Sequence, residues 1–364
     1  MPFFMTESKF SLIFAKNVLI MSMKIAINGF GRIGRLAFRI LKDRHRANHM
    51  VDVDVVAIND LADVHTLAYL LKYDTAQGRY QGSVEVDKDK LIVDGNPVDI
   101  LQQKAPSQLP WQTYDIDLVL EATGALTKRE DASKHLDAGA RKVVISAPPK
   151  GDIPSVVLGV NDSILKQDDP IISNASCTTN CLAPMVKVLD DQWSITSGMM
   201  TTAHAYTADQ NIQDAPHKKL RRGRAAAENI VPTSTGAAKA IGEVMPHLAG
   251  KLDGYALRVP VLAGSLTDLT CQLKEEVSPD AINKLFRDAS LNGLKGYLEY
   301  CDDEIVSSDI INNEHSCIFD ADSTRVIGNT VKVVGWYDNE AGYSARLIDL
   351  MVKIKEYSSS KVAG

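Results

Sequence analysis

The chain has 364 residues, a length that predicts roughly two domains at about 150 residues each. Hydrophobic residues make up 45% of the sequence and charged residues 24%, which excludes disorder as the main state of the chain. The net charge of −6 disfavours nucleic acid as a partner, and no apolar run has the roughly 18 residues that a membrane span needs. Five cysteines, a small and odd number, argue against a disulfide framework and favour a cytoplasmic location.

Residues 1–22 precede the first predicted strand and need a separate interpretation. Their apolar stretch over 10–20 is interrupted by Lys16 and Asn17, so it is too short and too polar for a transmembrane helix. Glu7 and the lack of a small-residue cleavage site are untypical of a secretory signal. We therefore expect residues 1–22 to be a disordered N-terminal extension, or to follow from an upstream start codon with Met21 or Met23 as the working start.

From Met23 onward, short apolar strands alternate with amphipathic helices. Residues 24–28 are typical of a buried strand, and apolar residues then recur at helical spacing from 33 to 41. Further strands are predicted over 53–58, 117–122 and 142–145, each ending in a turn-prone segment. This alternation predicts an α/β fold with a doubly wound parallel sheet.

The segment Gly29-x-Gly31-x-x-Gly34 connects the first predicted strand to the first predicted helix. In that context the glycines permit a tight turn, close approach of a pyrophosphate to the helix N-terminus, and close packing of helix on strand. Asp60 would bind the adenosine ribose hydroxyls and repel a 2′-phosphate, so we predict NAD as the cofactor. Asp60 lies 26 residues beyond Gly34 rather than the usual 20 or so, and we attribute the surplus to a long loop over 43–50. The alternative is that the glycines only form a tight turn.

The segment over 173–181 (SNASCTTNC) carries the strongest chemical signal. Helix-spaced apolar residues downstream predict a helix that begins near Ser176, which places Cys177 in the first turn. We expect the helix dipole and the free N–H groups to lower the pKa of this thiol and, with the Ser176 and Thr178 hydroxyls, to bind an anion. A thiolate beside an anion site predicts acyl transfer to or from phosphate. The alternative is an inert buried cysteine, the role we expect for Cys181.

A reactive cysteine usually needs a base, and His204 is the candidate. A predicted strand over 198–206 carries this histidine and is followed by a polar loop. Sequence spacing alone does not show that His204 reaches Cys177.

Three further segments are suited to binding anions. Residues 217–224 (HKKLRRGR) hold five Lys or Arg residues, a run typical of a solvated face, a subunit contact or a phosphate site. Residues 233–236 open another predicted helix, whose N-terminus is suited to an anion. Arg258 lies in a strand-like apolar stretch, where we expect it to be paired, and a substrate phosphate would serve.

Together these motifs resemble those of the phosphorylating glyceraldehyde-3-phosphate dehydrogenase family. The matching segments, in the order of the family, are NGFGRIGR (28–35), SNASCTTN (173–180), HAYTADQ (204–210), PTSTGAAKA (232–240), LRVP (257–260) and WYDNEAGYS (336–344). They extend from Met23 nearly to the C-terminus, and only residues 1–22 fall outside the resemblance.

The resemblance implies a reaction and the residues that perform it. Cys177 would attack the aldehyde to form a hemithioacetal, and His204 would accept the proton and assist hydride transfer to the nicotinamide. Inorganic phosphate would then cleave the resulting thioester to an acyl phosphate. This attacking phosphate would be held by Ser176, Thr178, Arg222, Thr235 and Gly236. The 3-phosphate of glyceraldehyde 3-phosphate would be held by Thr207, Asp209 and Arg258.

The resemblance also implies the cofactor site and the assembly. Asn339 would hold the nicotinamide carboxamide, and the other NAD-binding positions would be Gly29, Gly31, Arg32, Ile33, Gly34, Asp60, Arg79, Thr123 and Ser146. A Rossmann-type NAD-binding domain would span 23–176 and be completed by a C-terminal helix over 339–364. An α+β catalytic domain with a mainly antiparallel sheet would span 177–338. The family is typically a homotetramer, in which the basic run would lie against a neighbour's cofactor site, with no role for nucleic acid.

Three other functions fit parts of the pattern. An erythrose-4-phosphate dehydrogenase would use the same cysteine, histidine and NAD but release a free acid, and Leu61 and Pro216 argue against it. An enzyme that reduces acyl phosphates of amino acids would need a carboxylate site in place of Thr207 and Arg258. A binding role at the cell surface would be additional to catalysis, since the catalytic motifs are intact.

Overall fold

The computed structural model describes residues 22–49 and 51–362, so the predicted extension lies outside the described residues except for Ser22. Two β-sheets organise this part of the chain. The first sheet has eight strands, β1 (Met23–Asn28), β2 (Val53–Asn59), β3 (Val84–Asp87), β4 (Lys90–Val93), β5 (Asn96–Leu101), β6 (Leu118–Glu121), β7 (Lys142–Ile145) and β8 (Ile171–Ser173). Their order across the sheet is β3-β4-β5-β2-β1-β6-β7-β8.

The first sheet is parallel from β5 to β8, while β3 and β4 pair antiparallel at one edge. Strands β1, β6 and β7 are almost entirely buried, as expected for strands that are covered on both faces. The predicted doubly wound sheet is therefore confirmed. The antiparallel edge was not predicted, because β3 and β4 have only four residues each.

Four helices connect the strands of the first sheet: α1 (Arg32–Arg46), α2 (Val64–Lys72), α3 (Trp111–Tyr114) and α4 (Arg129–Asp137). The apolar face of α1, with Leu36, Ile40 and Leu41, packs into the same core as β1 and β2. Helix α2 begins after Asp63, whose carboxylate accepts hydrogen bonds from two backbone N–H groups of the first turn.

The loop predicted over 43–50 is wrong in part, because α1 continues to Arg46. Arg44 forms ion pairs with Glu314 and Asp349, and basic residues in the last turn also interact favourably with the helix dipole. The prediction relied on polarity, which does not distinguish a solvated helix end from a loop.

The second sheet has seven strands, β9 (Ile195–Ala205), β10 (Val231–Ser234), β11 (Leu252–Val259), β12 (Ser265–Leu273), β13 (Leu298–Cys301), β14 (Cys317–Ile327) and β15 (Thr330–Tyr337). Their order is β10-β11-β9-β12-β15-β14-β13. Only β11–β9 and β13–β14 pair parallel, so this sheet is mainly antiparallel, as the resemblance implied.

Three helices cover one face of the second sheet: α5 (Cys177–Trp193), α6 (Ala237–Val244) and α7 (Pro279–Leu291). Their buried residues form one core with the inward side chains of the strands. On the opposite face, Met199 and Tyr255 are 66% and 50% exposed. Helix α5 runs directly from the first sheet beneath the second, so its N-terminus lies where the two sheets meet.

The last helix, α8 (Ala341–Val362), returns to the first sheet. It packs against α1, and Leu347, Ile348 and Met351 belong to the same core as β1. None of the helices in the described ranges combines the length and apolarity that a membrane crossing requires.

Candidate active site

The turn between β8 and α5 presents Cys177. Ala175 has a φ of +55°, a left-handed conformation that reverses the chain before the helix begins. The Tyr343 hydroxyl donates to the Ala175 carbonyl at 3.0 Å, and the Ser173 hydroxyl accepts from the Ala175 N–H at 3.0 Å. Ser176 caps α5, because its hydroxyl accepts from the Thr179 N–H. Cys177 is consequently the first residue of the helix, where the sequence predicted it.

Cys177, at the start of α5, faces His204, near the end of β9. The distance from Cys177 Sγ to His204 Nε2 is 3.5 Å. His204 Nδ1 lies 2.7 Å from the Ala205 carbonyl oxygen, which can only accept, so Nδ1 carries the proton of the neutral ring. Nε2 therefore has a free lone pair directed at the thiol. Burial, assisted by the charge of Arg258, lowers the pKa of His204 to about 4, so the ring is neutral at physiological pH.

The expected lowering of the thiol pKa is wrong for this structure. Burial raises the pKa of Cys177 above its ordinary value, although the Arg258 charge and hydrogen bonds from Thr178 act in the opposite direction. The spacing of apolar residues predicted that Cys177 lies at a helix N-terminus, but it did not show that the sulfur is removed from solvent. The two groups at rest are therefore a neutral thiol and a neutral imidazole.

Arg258 lies beside His204 because β11 pairs with β9 in that register. Its guanidinium donates to the Thr207 hydroxyl at 2.6 Å and to the Ala205 carbonyl at 3.3 Å. Asp209 accepts from the Thr207 hydroxyl and lies 3.9 Å from the guanidinium. Burial acts to raise the pKa of Asp209, but its hydrogen bond with Thr207 and the two arginine charges near it outweigh burial and lower this pKa. Asp209 thus holds a cationic group in place.

Arg222 is the second arginine of the site. It pairs with Asp209 and donates from Nε to the Thr233 hydroxyl at 2.9 Å. Thr235 and Gly236 follow in the turn that begins α6, where the Thr235 hydroxyl accepts from the Ala237 N–H at 3.2 Å. The structure therefore brings the basic segment and the α6 turn to one place.

These groups surround a cleft of about 590 Å³. Of the residues proposed from the sequence for catalysis or substrate binding, the lining includes Ser176, Cys177, Thr178, His204, Arg222, Thr235, Gly236 and Arg258. Thr207 and Asp209 lie behind the two arginines rather than on the cleft wall.

A second cleft, of about 410 Å³, lies at the carboxyl ends of β1, β2 and β6, where dinucleotides bind in doubly wound sheets. Its lining includes Gly29, Gly31, Asp60 and Thr123. A Cβ added at Gly31 would meet no atom within 4 Å, so the glycine keeps space open at the start of α1. No side chain caps that helix end, which leaves its N–H groups free for a pyrophosphate. The residues present therefore fit NAD.

The other two glycines of the motif have steric roles. Gly29 has a φ of +93°, and a Cβ there would lie 2.7 Å from the Thr123 nitrogen. A Cβ at Gly34 would lie 2.2 Å from the Gly29 carbonyl oxygen. Asp60 accepts hydrogen bonds from the N–H groups of Phe30 and Ala62, at 2.7 and 3.0 Å. The Asp60 carboxylate thus lies against the glycine turn.

The remaining cofactor positions proposed from the sequence do not line this cleft. Arg32 forms ion pairs with Glu340 and Asp74, and Arg79 is exposed above the Tyr73 ring. Ile33 packs on the core of the first sheet, and Ser146 is tied by its N–H to the end of β6. Asn339 lies near the second sheet, where its side-chain oxygen accepts from the Gly264 N–H and the Ser265 hydroxyl.

Two residues of the active-site region were missed by the sequence interpretation. The buried Tyr337 hydroxyl lies 2.9 Å from both the Thr178 and Thr202 hydroxyls, and its ring meets His204 edge-on. Asn180 donates to the carbonyls of Asn174 and Ser176 and so stabilises the turn between β8 and α5. Both residues are inside matched motifs, but nothing in their spacing marks them as partners of Cys177.

A cleft at the carboxyl ends of a doubly wound sheet and a second cleft with a thiol–imidazole pair together define an NAD-dependent oxidoreductase. The family model described as "Glyceraldehyde 3-phosphate dehydrogenase, NAD binding domain" matches residues 23–129, and "Glyceraldehyde 3-phosphate dehydrogenase, C-terminal domain" matches residues 176–339. The chain belongs to the glyceraldehyde-3-phosphate dehydrogenase family.

Curated relatives agree over nearly their whole length. The glyceraldehyde-3-phosphate dehydrogenase of Mycobacterium avium is 54% identical over 336 residues, which cover 92% of this chain and 99% of the relative. That of Mycobacterium leprae is 54% identical over 91% of this chain and 98% of the relative. Glyceraldehyde-3-phosphate dehydrogenase 2 of Streptomyces avermitilis is 51% identical over the same shares.

Proposed function

We propose that the protein oxidises glyceraldehyde 3-phosphate with NAD and inorganic phosphate to 1,3-bisphosphoglycerate, a reaction of glycolysis. The observation that carries this proposal is the 3.5 Å approach of Cys177 Sγ to an unprotonated Nε2 of His204. The name shared by the relatives supports the same substrate. Nothing observed favours an erythrose-4-phosphate dehydrogenase.

The proton of the Cys177 thiol goes to His204. As Sγ bonds to the aldehyde carbon, Nε2 takes the thiol proton, and the Ala205 carbonyl stabilises the imidazolium through Nδ1–H. The chemistry that NAD supplies when bound is acceptance of a hydride. When a phosphate oxygen attacks the thioester carbon, the C–S bond breaks, and the imidazolium returns its proton to the departing thiolate.

Two anion sites flank this pair in our proposal. Arg258, held by Thr207 and Asp209, would bind the 3-phosphate of the substrate. The attacking phosphate would bind near Arg222, where the hydroxyls of Ser176, Thr178 and Thr235 and the N-terminal turn at Gly236 line the same cleft. Both sites open onto one cleft with Cys177, as acyl transfer to phosphate requires.

The cofactor assignments rest on the second cleft and on Asn339. The glycine turn, Asp60 and Thr123 would hold the adenosine and pyrophosphate part of NAD. The Gly264 N–H can only donate, so the Asn339 atom facing it is the oxygen, and its amide nitrogen is the atom left to bind a carboxamide oxygen. Arg32, Ile33, Arg79 and Ser146 would act from outside the cleft lining.

We further propose a cytoplasmic homotetramer whose chains are each divided at residue 176. The exposed Met199 and Tyr255 on the uncovered face of the second sheet support an interface between copies. All five cysteines are free, in keeping with a reducing compartment. The NAD-binding domain would span 23–176 with the helix over 339–364, and the catalytic domain 177–338.

The test is the formation of reduced nicotinamide from NAD and glyceraldehyde 3-phosphate, with and without inorganic phosphate. We expect turnover that depends strongly on phosphate, because phosphate is the acceptor of the acyl group. Erythrose 4-phosphate is the control substrate and should be poorer. Turnover that is independent of phosphate, with erythrose 4-phosphate preferred, would refute the proposal.

A further inference from the structure

A network of polar side chains lies beneath the dinucleotide cleft, and of its members only Thr123 has been given a role above. Its centre is Glu121, the last residue of β6, which is 1% exposed. One carboxylate oxygen accepts from Asn28 Nδ2 at 2.6 Å and faces His135 Nε2 at 3.0 Å. The other accepts from the N–H of Thr123 at 2.9 Å and from its hydroxyl. Four donors therefore surround one carboxylate.

Trp111 determines the protonation of His135. The indole Nε1–H can only donate, and it lies 3.0 Å from His135 Nδ1. Nδ1 must therefore be a bare acceptor, the ring is neutral, and its single proton is on Nε2. That proton is donated to Glu121. The carboxylate is held entirely by neutral donors, a costly arrangement that needs every bond to be made.

Two of the donors to Glu121 are on residues that line the cleft. Asn28 and Thr123 stand at the ends of β1 and β6, and both are part of the cleft wall. Asn28 Oδ1 also accepts from Asn59, which exchanges hydrogen bonds with the backbone of Gln103, a further residue of the wall. The network thus ties together the three strand ends on which the cleft is built.

The glycine turn depends on this arrangement. Gly29 packs so closely on the Thr123 backbone that a Cβ there would lie 2.7 Å from the Thr123 nitrogen. A shift of Thr123 by a few tenths of an ångström would be transmitted directly to Gly29, since packed backbone does not yield.

We propose that Glu121 is a positioning residue for NAD, acting through Thr123 and Asn28 with His135 as its fixed donor. The proposal rests on the use of NAD in the proposed function and deepens it. A buried carboxylate without a cation is a poor choice if only stability is required, because an apolar side chain would fill the space without desolvating a charge. Its benefit is orientation, because four donors fix the cleft wall in one geometry.

The first test is Glu121→Gln. The substitution keeps the shape of the side chain but replaces one carboxylate oxygen, which accepts hydrogen bonds, with an NH₂ group that would face hydrogen-bond donors. We expect the Kd and KM for NAD to rise at least about tenfold, while kcat at saturating NAD falls by less than about threefold. Alkylation of Cys177 by iodoacetamide without NAD should stay within about twofold of wild type, because the thiol lies on another element. Unchanged NAD affinity, or parallel losses in alkylation and NAD binding, would overturn the proposal.

A pair of variants at His135 provides the matched control. His135→Gln places an amide N–H near the position of Nε2 and should retain most of the NAD affinity. His135→Leu leaves Glu121 one donor short and should weaken NAD binding several-fold more than His135→Gln. Equal NAD affinities in the two variants would contradict the role of His135 as donor. If Glu121→Gln does not fold, the comparison of the two His135 variants decides the proposal. NAD binding is measured without substrate, so failure of phosphate-dependent turnover in the wild type would be a separate result.

Discussion

At the scale of single residues, Cys177 and His204 form a neutral pair, which in the proposed mechanism would become charged only during the reaction. Burial raises the pKa of the thiol and lowers that of the imidazole, so both shifts oppose an ion pair in the free protein. In the proposed mechanism the thiol proton would therefore move to His204 when the aldehyde binds. Arg258, beside both groups, would favour the thiolate and disfavour the imidazolium.

Cys177→Ser should lower kcat by at least about a thousandfold, because a hydroxyl is a much weaker nucleophile beside the same base. The Kd for NAD, measured by titration, should change little. Cys301→Ser is the matched control, because Cys301 is a partly exposed free cysteine on β13. Normal turnover by Cys177→Ser would exclude Cys177 as the nucleophile.

His204 should make stability depend on pH. Its pKa is about 4 when folded and about 6.5 when unfolded, so between these values the unfolded chain binds more protons. Titration of His204 should consequently lower the free energy of unfolding by about 2 kcal/mol between pH 7.5 and pH 5. The free energy of unfolding, measured with urea at the two pH values, should decrease less for His204→Asn than for wild type. Equal decreases would show that the folded pKa is not lowered.

Asp60→Ala should raise the Kd for NAD about tenfold and reduce the discrimination against NADP. The control is Asp60→Asn, which keeps an oxygen for the Phe30 N–H but removes the charge. If repulsion of the 2′-phosphate selects the cofactor, Asp60→Asn should lose discrimination with less loss of NAD affinity. Unchanged selectivity in both variants would exclude Asp60 from this role.

At the scale of elements, the position of Cys177 depends on the turn between β8 and α5. Ala175 adopts a left-handed conformation, which is unfavourable for most residues other than glycine and asparagine. Its carbonyl is held by Tyr343 from α8, and Asn180 from α5 holds the carbonyls on either side. Side chains from two helices, α5 and α8, therefore fix this turn.

Tyr343→Phe should lower the free energy of unfolding by about 1 kcal/mol, since it removes one buried hydrogen bond. It should also slow the alkylation of Cys177, because the turn becomes free to move. Tyr69→Phe is the matched control, because Tyr69 is 62% exposed. An alkylation rate equal to that of wild type would show that Tyr343 supports only the fold.

The sequence predicted those elements whose signals are local. The alternation from Met23 to Ile145 defined the parallel sheet, and the helix beginning after Ser176 followed from apolar spacing. Strands β3 and β4 were missed because their pattern is short and half exposed. The hydrogen bonds between Asn28 and Glu121 and between Thr202 and Tyr337 join residues far apart in the chain, and only the folded topology brings such residues together.

At the scale of the whole molecule, helices cover one face of the second sheet, and no helix of the described residues 22–49 and 51–362 covers the other, which we call the uncovered face. On the uncovered face, Met199 and Thr201 of β9 lie beside Asp253 and Tyr255 of β11. A face of this kind, with Met199 and Tyr255 exposed, is suited to a second copy of the chain.

If the proposed tetramer uses this face, Met199→Lys should shift it towards dimers or monomers, because a charge would be buried between copies. The molar mass from light scattering measures this directly. Ile327→Lys is the matched control, since Ile327 is 83% exposed at the end of β14. A tetramer that persists in Met199→Lys would place the interface elsewhere.

The return of α8 to the first sheet has a consequence for biosynthesis. Leu347, Ile348 and Met351 complete the core that α1 and β1 begin, yet they are made some three hundred residues later. On the ribosome, domains generally fold as units while the chain emerges. Here part of the apolar surface of the nucleotide-binding half stays exposed until α8 has been synthesised and can pack against it.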